Sequence, residues 1–204
     1  MTWTVLLGCA GIPAGWSARR VLGWLPRGAL IRPGCCELGV AVLWALTGWV
    51  AAPRSPTWVP VLLVLGWLAV ALTATDLAHR RLPDALTLPA VPVVVLLLLP
   101  LGAGSMLRGV TGALLLVAGH AAVHLAAPPA LGAGDVKLAG SVGAVLGAVS
   151  WEVLLLGPLL AASLTAAVGA AGLLSGRLGR TDPLPHGPAM LGAAWVLAVL
   201  AGGT

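Results

Sequence analysis

The chain has 204 residues, 59% of them hydrophobic and 8% charged, with a mean hydropathy of +1.04. Soluble domains carry about 25% charged residues, so the composition excludes an ordinary soluble domain and points to an all-α, polytopic membrane protein. The net charge of +5 would suit a nucleic-acid partner, but the arginines lie in short segments between apolar runs, as they do where they orient membrane helices. The expected partner is therefore a lipid bilayer and no nucleic acid.

A helix needs roughly 17–25 apolar residues to cross about 30 Å of hydrocarbon. Eight apolar runs are expected to form the spans, at 3–18, 38–52, 58–75, 85–101, 109–126, 138–149, 153–174 and 188–201, four of them shorter than that length. The N-terminus lacks the basic start of a secretory signal peptide, so the first run is read as a retained helix. The sixth run is short, and the sixth and seventh could instead be one long broken helix. Trp3, Trp16, Trp58 and Trp151 fall near run ends, where tryptophans mark membrane interfaces. The chain divides into a two-helix region with a short loop (1–57), a core (58–174), and a last loop and helix (175–204), all within one membrane domain.

Segments after odd-numbered runs carry nine cations: Arg19, Arg20, Arg27, Arg32, Arg80, Arg81, Lys137, Arg177 and Arg180. Those after even-numbered runs carry two, Arg54 and Arg108. The positive-inside rule then puts the odd segments in the cytoplasm and both termini outside. Asp76 follows three crossings and Asp135 five, so both reach one membrane face whichever way the protein is oriented. Glu37, Asp84 and Asp182 fall on that side in loops, and Glu152 on the other.

Asp135 sits in the glycine-rich stretch Gly132-Ala133-Gly134-Asp135-Val136-Lys137. Two carboxylates at one face could share a proton if they come close together, since like charges in close proximity cannot both ionise cheaply. The ionised member can activate water while the protonated member donates to a scissile carbonyl. Such a pair titrates as a unit, and neither aspartate has a fixed role. Gly132 and Gly134 would allow close approach of a substrate backbone and unusual φ beside Asp135. Taken singly, Asp76 is also readable as a helix-end charge beside Arg80 and Arg81, and Asp135 as a helix N-cap. Lys137 is either an interfacial anchor or a cation that keeps one aspartate ionised.

Thr75-Asp76 through Arg81-Leu82-Pro83-Asp84-Ala85-Leu86-Thr87 resembles the first aspartate segment of the prepilin peptidases, and Gly132 through Ala139 resembles their second, the GxGD signature. Leu184-Pro185-His186-Gly187-Pro188 resembles the Pro-Phe-Gly-Pro turn before that family's last helix, with His186 in place of the usual Phe. The resemblance implies an aspartic endopeptidase of the bacterial inner membrane. It would cut the short basic leader from pilin-like precursors, after a glycine, at the cytoplasmic face, with Asp76 and Asp135 as catalytic pair. Gly132, Gly134 and Lys137 would support them, with no metal and no cofactor. Longer family members carry an insert with two spaced cysteine pairs and also methylate the new N-terminus. Here the corresponding loop holds only Cys35 and Cys36, so neither zinc nor methyltransferase activity is expected.

His120 and His124 share a helical face at i, i+4, a spacing that can bind metal; without an HExxH motif, hydrogen bonds to neighbouring helices are the commoner outcome. Asp84 reads as the N-cap of the fourth helix. Gly140, Gly143 and Gly147 read as small residues that let helices approach closely. Three other functions stay open: a GxGD protease of another membrane peptide, a small transporter using the aspartates as ion sites, and a degenerate assembly partner.

Overall fold

A computed structural model describes residues 1–128, 131–177, 179 and 184–202. Arg180 and Asp182, used above in the charge pattern, lie outside the described residues. Eight α-helices and two short 3-10 turns, and no strand, are present among the described residues. The helices are α1 (Thr2–Trp24), α2 (Cys35–Val50), α3 (Val59–His79), α4 (Asp84–Leu98), α5 (Ala103–Ala126), α6 (Ala133–Val149), α7 (Trp151–Leu174) and α8 (Gly187–Ala201). The protein is an all-α polytopic membrane protein. Four stretches, Pro56–His79, Asp84–Leu101, Ala103–Ala126 and Trp151–Leu174, are long and apolar enough to cross a bilayer; the remaining helices are shorter or less apolar.

Several helices continue past the charges that end the apolar runs. Arg19 and Arg20 lie inside α1 and not in a loop. The helix tolerates them because Arg19 Nε donates to Glu37 Oε1 at 2.7 Å, and Arg20 stacks on Trp16 and Trp24 at 5.5 and 5.4 Å from the ring centroids. Glu37 likewise belongs to the first turn of α2, where its other oxygen accepts the Gly34 N–H at 2.9 Å. Residues 103–105, which lie between the fourth and fifth apolar runs, already belong to α5.

The core is organised around α6. Every residue from Leu138 to Ala148 is buried, because α4, α5, α7 and α8 all pack on it. A helix enclosed by protein need not match the bilayer thickness, which accounts for its length of 17 residues. The enclosure depends on small side chains: a Cβ at Gly140 would fall 2.8 Å from a Val91 methyl, and one at Gly143 would fall 2.5 Å from the Gly112 carbonyl oxygen. The sixth and seventh runs are two helices, not one broken helix. Ser150 is extended between them and accepts the Val153 N–H at 3.2 Å, capping α7. Gly157 then lies against Leu146, so the two helices fold back as a hairpin.

Large apolar side chains on the outer faces of α5 and α7, such as Leu107, Leu114, Leu155, Leu159 and Val168, are exposed, as lipid contact requires. Trp58 departs from the interfacial reading. It is 2% exposed, and its indole N–H donates to the Ala198 carbonyl at 3.0 Å, tying the start of α3 to the end of α8. Trp3, Trp16 and Trp151 are exposed.

Candidate active site

Asp76 lies in the last turn of α3, and Asp135 in the first turn of α6. The two line one cleft of about 260 Å³. Arg27, Arg80, Arg81, Asp84 and Lys137 share its walls, so cations from three separate chain segments gather at the end of the bundle that holds both aspartates.

Local chain geometry explains how Asp76 is presented. The helix stops at Arg80, which adopts a left-handed conformation (φ 52°) and returns its N–H to the Asp76 carbonyl at 2.7 Å. A non-glycine residue there costs about 1–2 kcal/mol, and the reversal it produces feeds Leu82 into the bundle. Leu82 is buried and wedges between the starts of α6 and α8: a Cβ at Gly134 would lie 3.2 Å from Leu82 Cβ, and one at Gly187 would lie 3.4 Å from a Leu82 methyl. Asp76 itself is 6% exposed. A Cβ at Gly187 would also lie 3.0 Å from Asp76 Oδ2, so glycine at the head of α8 makes room for the carboxylate. The Gly187 backbone amide acts on this carboxylate, yet no atom among the described residues gives the buried Oδ2 a full hydrogen bond.

Asp135 is partly buried and is the third residue of α6, not its N-cap. Gly132 holds the cap position, and its N–H reaches back to Asp135 Oδ2 at 3.3 Å. Lacking a side chain, Gly132 cannot return the bond, so this is half of a capping box. Neither Gly132 (φ −72°) nor Gly134 has a positive φ. The expectation of unusual backbone angles is therefore corrected: these glycines serve close approach, Gly134 to Leu82 and Gly132 to the Asp135 carboxylate.

Lys137 lines the cleft but is aimed elsewhere than at the two aspartates. Its ammonium donates to Asp84 Oδ1 at 2.7 Å, with Arg27 Nη1 4.0 Å from the other oxygen. Asp84 is thus no N-cap: α4 begins at Asp84 after Pro83, and the carboxylate makes no capping bond. The pair joins the heads of α4 and α6 across the cleft. Being largely solvated, it contributes little stability. Lys137→Ala and Asp84→Ala are each expected to lower the thermal midpoint slightly and by similar amounts, with no further loss in the double variant. A thermal scan of the three variants in one detergent checks this.

His120 and His124 hydrogen-bond to backbone, at 2.9 Å to the Leu116 carbonyl and 2.7 Å to the Leu131 carbonyl. No group of three or more potential metal ligands is found among the described residues. His186, just ahead of α8, pairs through Nδ1 with Thr165 Oγ1 of α7 at 2.8 Å. Burial pushes its imidazole below the ordinary range, and the neighbouring His120 adds to the effect. A base depressed in the folded state resists protonation while the unfolded one accepts it. Stability from this group is therefore full above about pH 6.5 and is lost as pH falls below it. Thr165 also donates to the Ala161 carbonyl at 2.9 Å, so it keeps a partner without His186. His186→Phe should cost only about 0.5–1.5 kcal/mol and flatten the loss of stability below about pH 6.5. Thermal midpoints from pH 5 to 8 read both effects.

Leu82 and Gly187 are the parts of this site not assigned from sequence. Both fall inside recognisable segments, Leu82 beside Pro83 and Gly187 beside Pro188, but their contacts with each other and with Asp76 depend on α3, α6 and α8 converging.

The fold and cleft define an integral membrane protein with two carboxylates at one end of a helical bundle. A family model, the type IV leader peptidase family, matches residues 63–171, and the chain belongs to that family. It is 32% identical to the prepilin leader peptidase/N-methyltransferase of Aeromonas salmonicida, over 96% of this chain and 63% of that protein. The protein of the same description from Aeromonas hydrophila matches at 32% identity with the same coverage. The chain thus spans 63% of the length of these curated relatives. No solved structure matches it significantly.

Proposed function

We propose that this protein is a membrane-embedded aspartic endopeptidase that removes the short basic leader from type IV pilin-like precursors. The observation that carries the reading is the shared cleft: Asp76 and Asp135, from helices far apart in the chain, line one cavity inside a chain of the type IV leader peptidase family. One carboxylate, ionised, takes a proton from water as the water attacks the scissile carbonyl. The other, protonated, donates to the carbonyl oxygen, and the proton gained by the first then goes to the leaving amine. The pair needs no metal or other cofactor for these steps. Gly132 and Gly134 keep the Asp135 turn slim at the cleft wall, and Lys137 holds α6 to α4 beside it.

The site faces the cytoplasm of a bacterial inner membrane. Arg27, Arg80, Arg81 and Lys137 gather at its end of the bundle, and retained cations mark the cytoplasmic side. The α1–α2 connection, residues 25–34, is short and holds no cysteine, and adjacent Cys35 and Cys36 at the start of α2 are not two spaced pairs, which supports a peptidase without methyltransferase activity. Co-expression with a pilin-like precursor tests the reading. The expected product is shortened by the leader and begins after the glycine. An unprocessed precursor in membranes that contain the protein counts against it.

A further inference from the structure

We propose that the end of the bundle opposite the aspartates carries a binding site for a phosphate anion, centred on Arg108. A cavity of about 290 Å³ opens there, near the lower bound of small-ligand sites. Its walls include Arg108 and Ser105 of α5, Ser55 and Thr57 ahead of α3, and Ala148 at the end of α6. α3 and α6 each have one end in this cavity and the other at Asp76 or Asp135, which puts the two sites at opposite membrane faces.

The bonding of the guanidinium is incomplete. Arg108 Nη2 donates to Ser105 Oγ at 3.2 Å and to the Ala148 carbonyl at 3.1 Å. Nε is buried with no partner. Among the described residues Nη1 makes no hydrogen bond and no carboxylate pairs with this arginine, the ion pairs found there being Arg19–Glu37, Arg27–Asp84 and Lys137–Asp84. A half-buried cation without a counter-ion is costly, and a guanidinium presents donors matched to phosphate oxygens. The hydroxyls of Ser55 and Thr57, 3.4 Å apart, add donors on the facing wall. Pro100 and Leu101 supply an apolar edge, against which the glycerol of a lipid would lie. The headgroup of an anionic phospholipid, whose phosphate has no cation of its own, and free phosphate offer the same uncompensated anion.

The test uses the purified full chain in a neutral detergent, with thermal midpoints followed against short-chain phosphatidylglycerol, short-chain phosphatidylcholine and sodium phosphate. The expected result is a saturable rise with phosphatidylglycerol or with phosphate; whichever arm saturates names the source. Arg108→Gln should weaken that binding at least about tenfold, the scale of one charged contact. The joint change Ser55→Ala, Thr57→Ala should weaken it as well, and it decides the matter if Arg108→Gln does not fold. Equal responses in wild type and variants, an equal response to the zwitterionic lipid, or no saturation in any arm would overturn the proposal.

Discussion

Asp76→Asn and Asp135→Asn are each expected to abolish processing of a co-expressed pilin precursor while leaving the protein in the membrane. Each change is close to isosteric, and neither removes a packed apolar group. Asp76 Oδ2 has no hydrogen bond to lose, and the one contact of Asp135 with Gly132 is long, at 3.3 Å. Folding should therefore survive. The chemistry should not, because an amide can neither take a proton from water nor pass one on at neutral pH. Loss of a positioned acid or base costs about 10²- to 10⁴-fold in rate. For a pair that works as one unit, the double variant should be no worse than either single one. Membrane fractions read both quantities: the ratio of mature to precursor pilin, and the amount of enzyme that resists alkaline extraction. Wild-type processing in either variant would remove the aspartate pair from the mechanism. Substrate-driven ion flux without proteolysis would favour the transporter reading instead.

The helical architecture was legible because the runs are long and almost free of charge, and crossing parity needs only their number and order. It placed Asp76 and Asp135 at one face, and the shared cleft agrees. Helix ends were less legible. A charge looks like a boundary when read alone, yet Arg19 and Arg20 continue α1 because Glu37 and two indoles receive them. The partners of polar residues were least legible of all. Lys137 lies two residues from Asp135 in sequence, but those positions point about 160° apart around a helix, and its ammonium turns to Asp84. Trp58 sits at a run end, as an interfacial residue would, and is nonetheless buried because α8 brings the Ala198 carbonyl to it. Such pairings depend on which helices become neighbours, and that depends on small residues whose effect only the packed bundle displays.

Gly143→Ala should show how strongly the site depends on that packing. A Cβ at Gly143 would lie 2.5 Å from the Gly112 carbonyl oxygen and 2.9 Å from Leu116 Cβ. The obstacle is largely the backbone of α5, so no change of rotamer relieves it, and α5 and α6 must move apart. With α6 buried from Leu138 to Ala148, the displacement passes to its other neighbours, and the expected cost is about 1–3 kcal/mol. In a chain of this size that is a fall in thermal midpoint of several degrees. Asp135 rides on the same helix two turns away, about 12 Å along the axis, and a displacement of about 1 Å at a reacting group can cost about 10²-fold in rate. Processing should therefore fall together with stability. Gly119 and Gly192 provide the control, since a Cβ at either meets nothing within 4 Å. Alanine there should be neutral or stabilising by up to about 1 kcal/mol, the helix-propensity difference, with full processing. If Gly143→Ala matches these two in both thermal midpoint and cleavage, then close contact of α5 with α6 is not what holds Asp135 in the cleft.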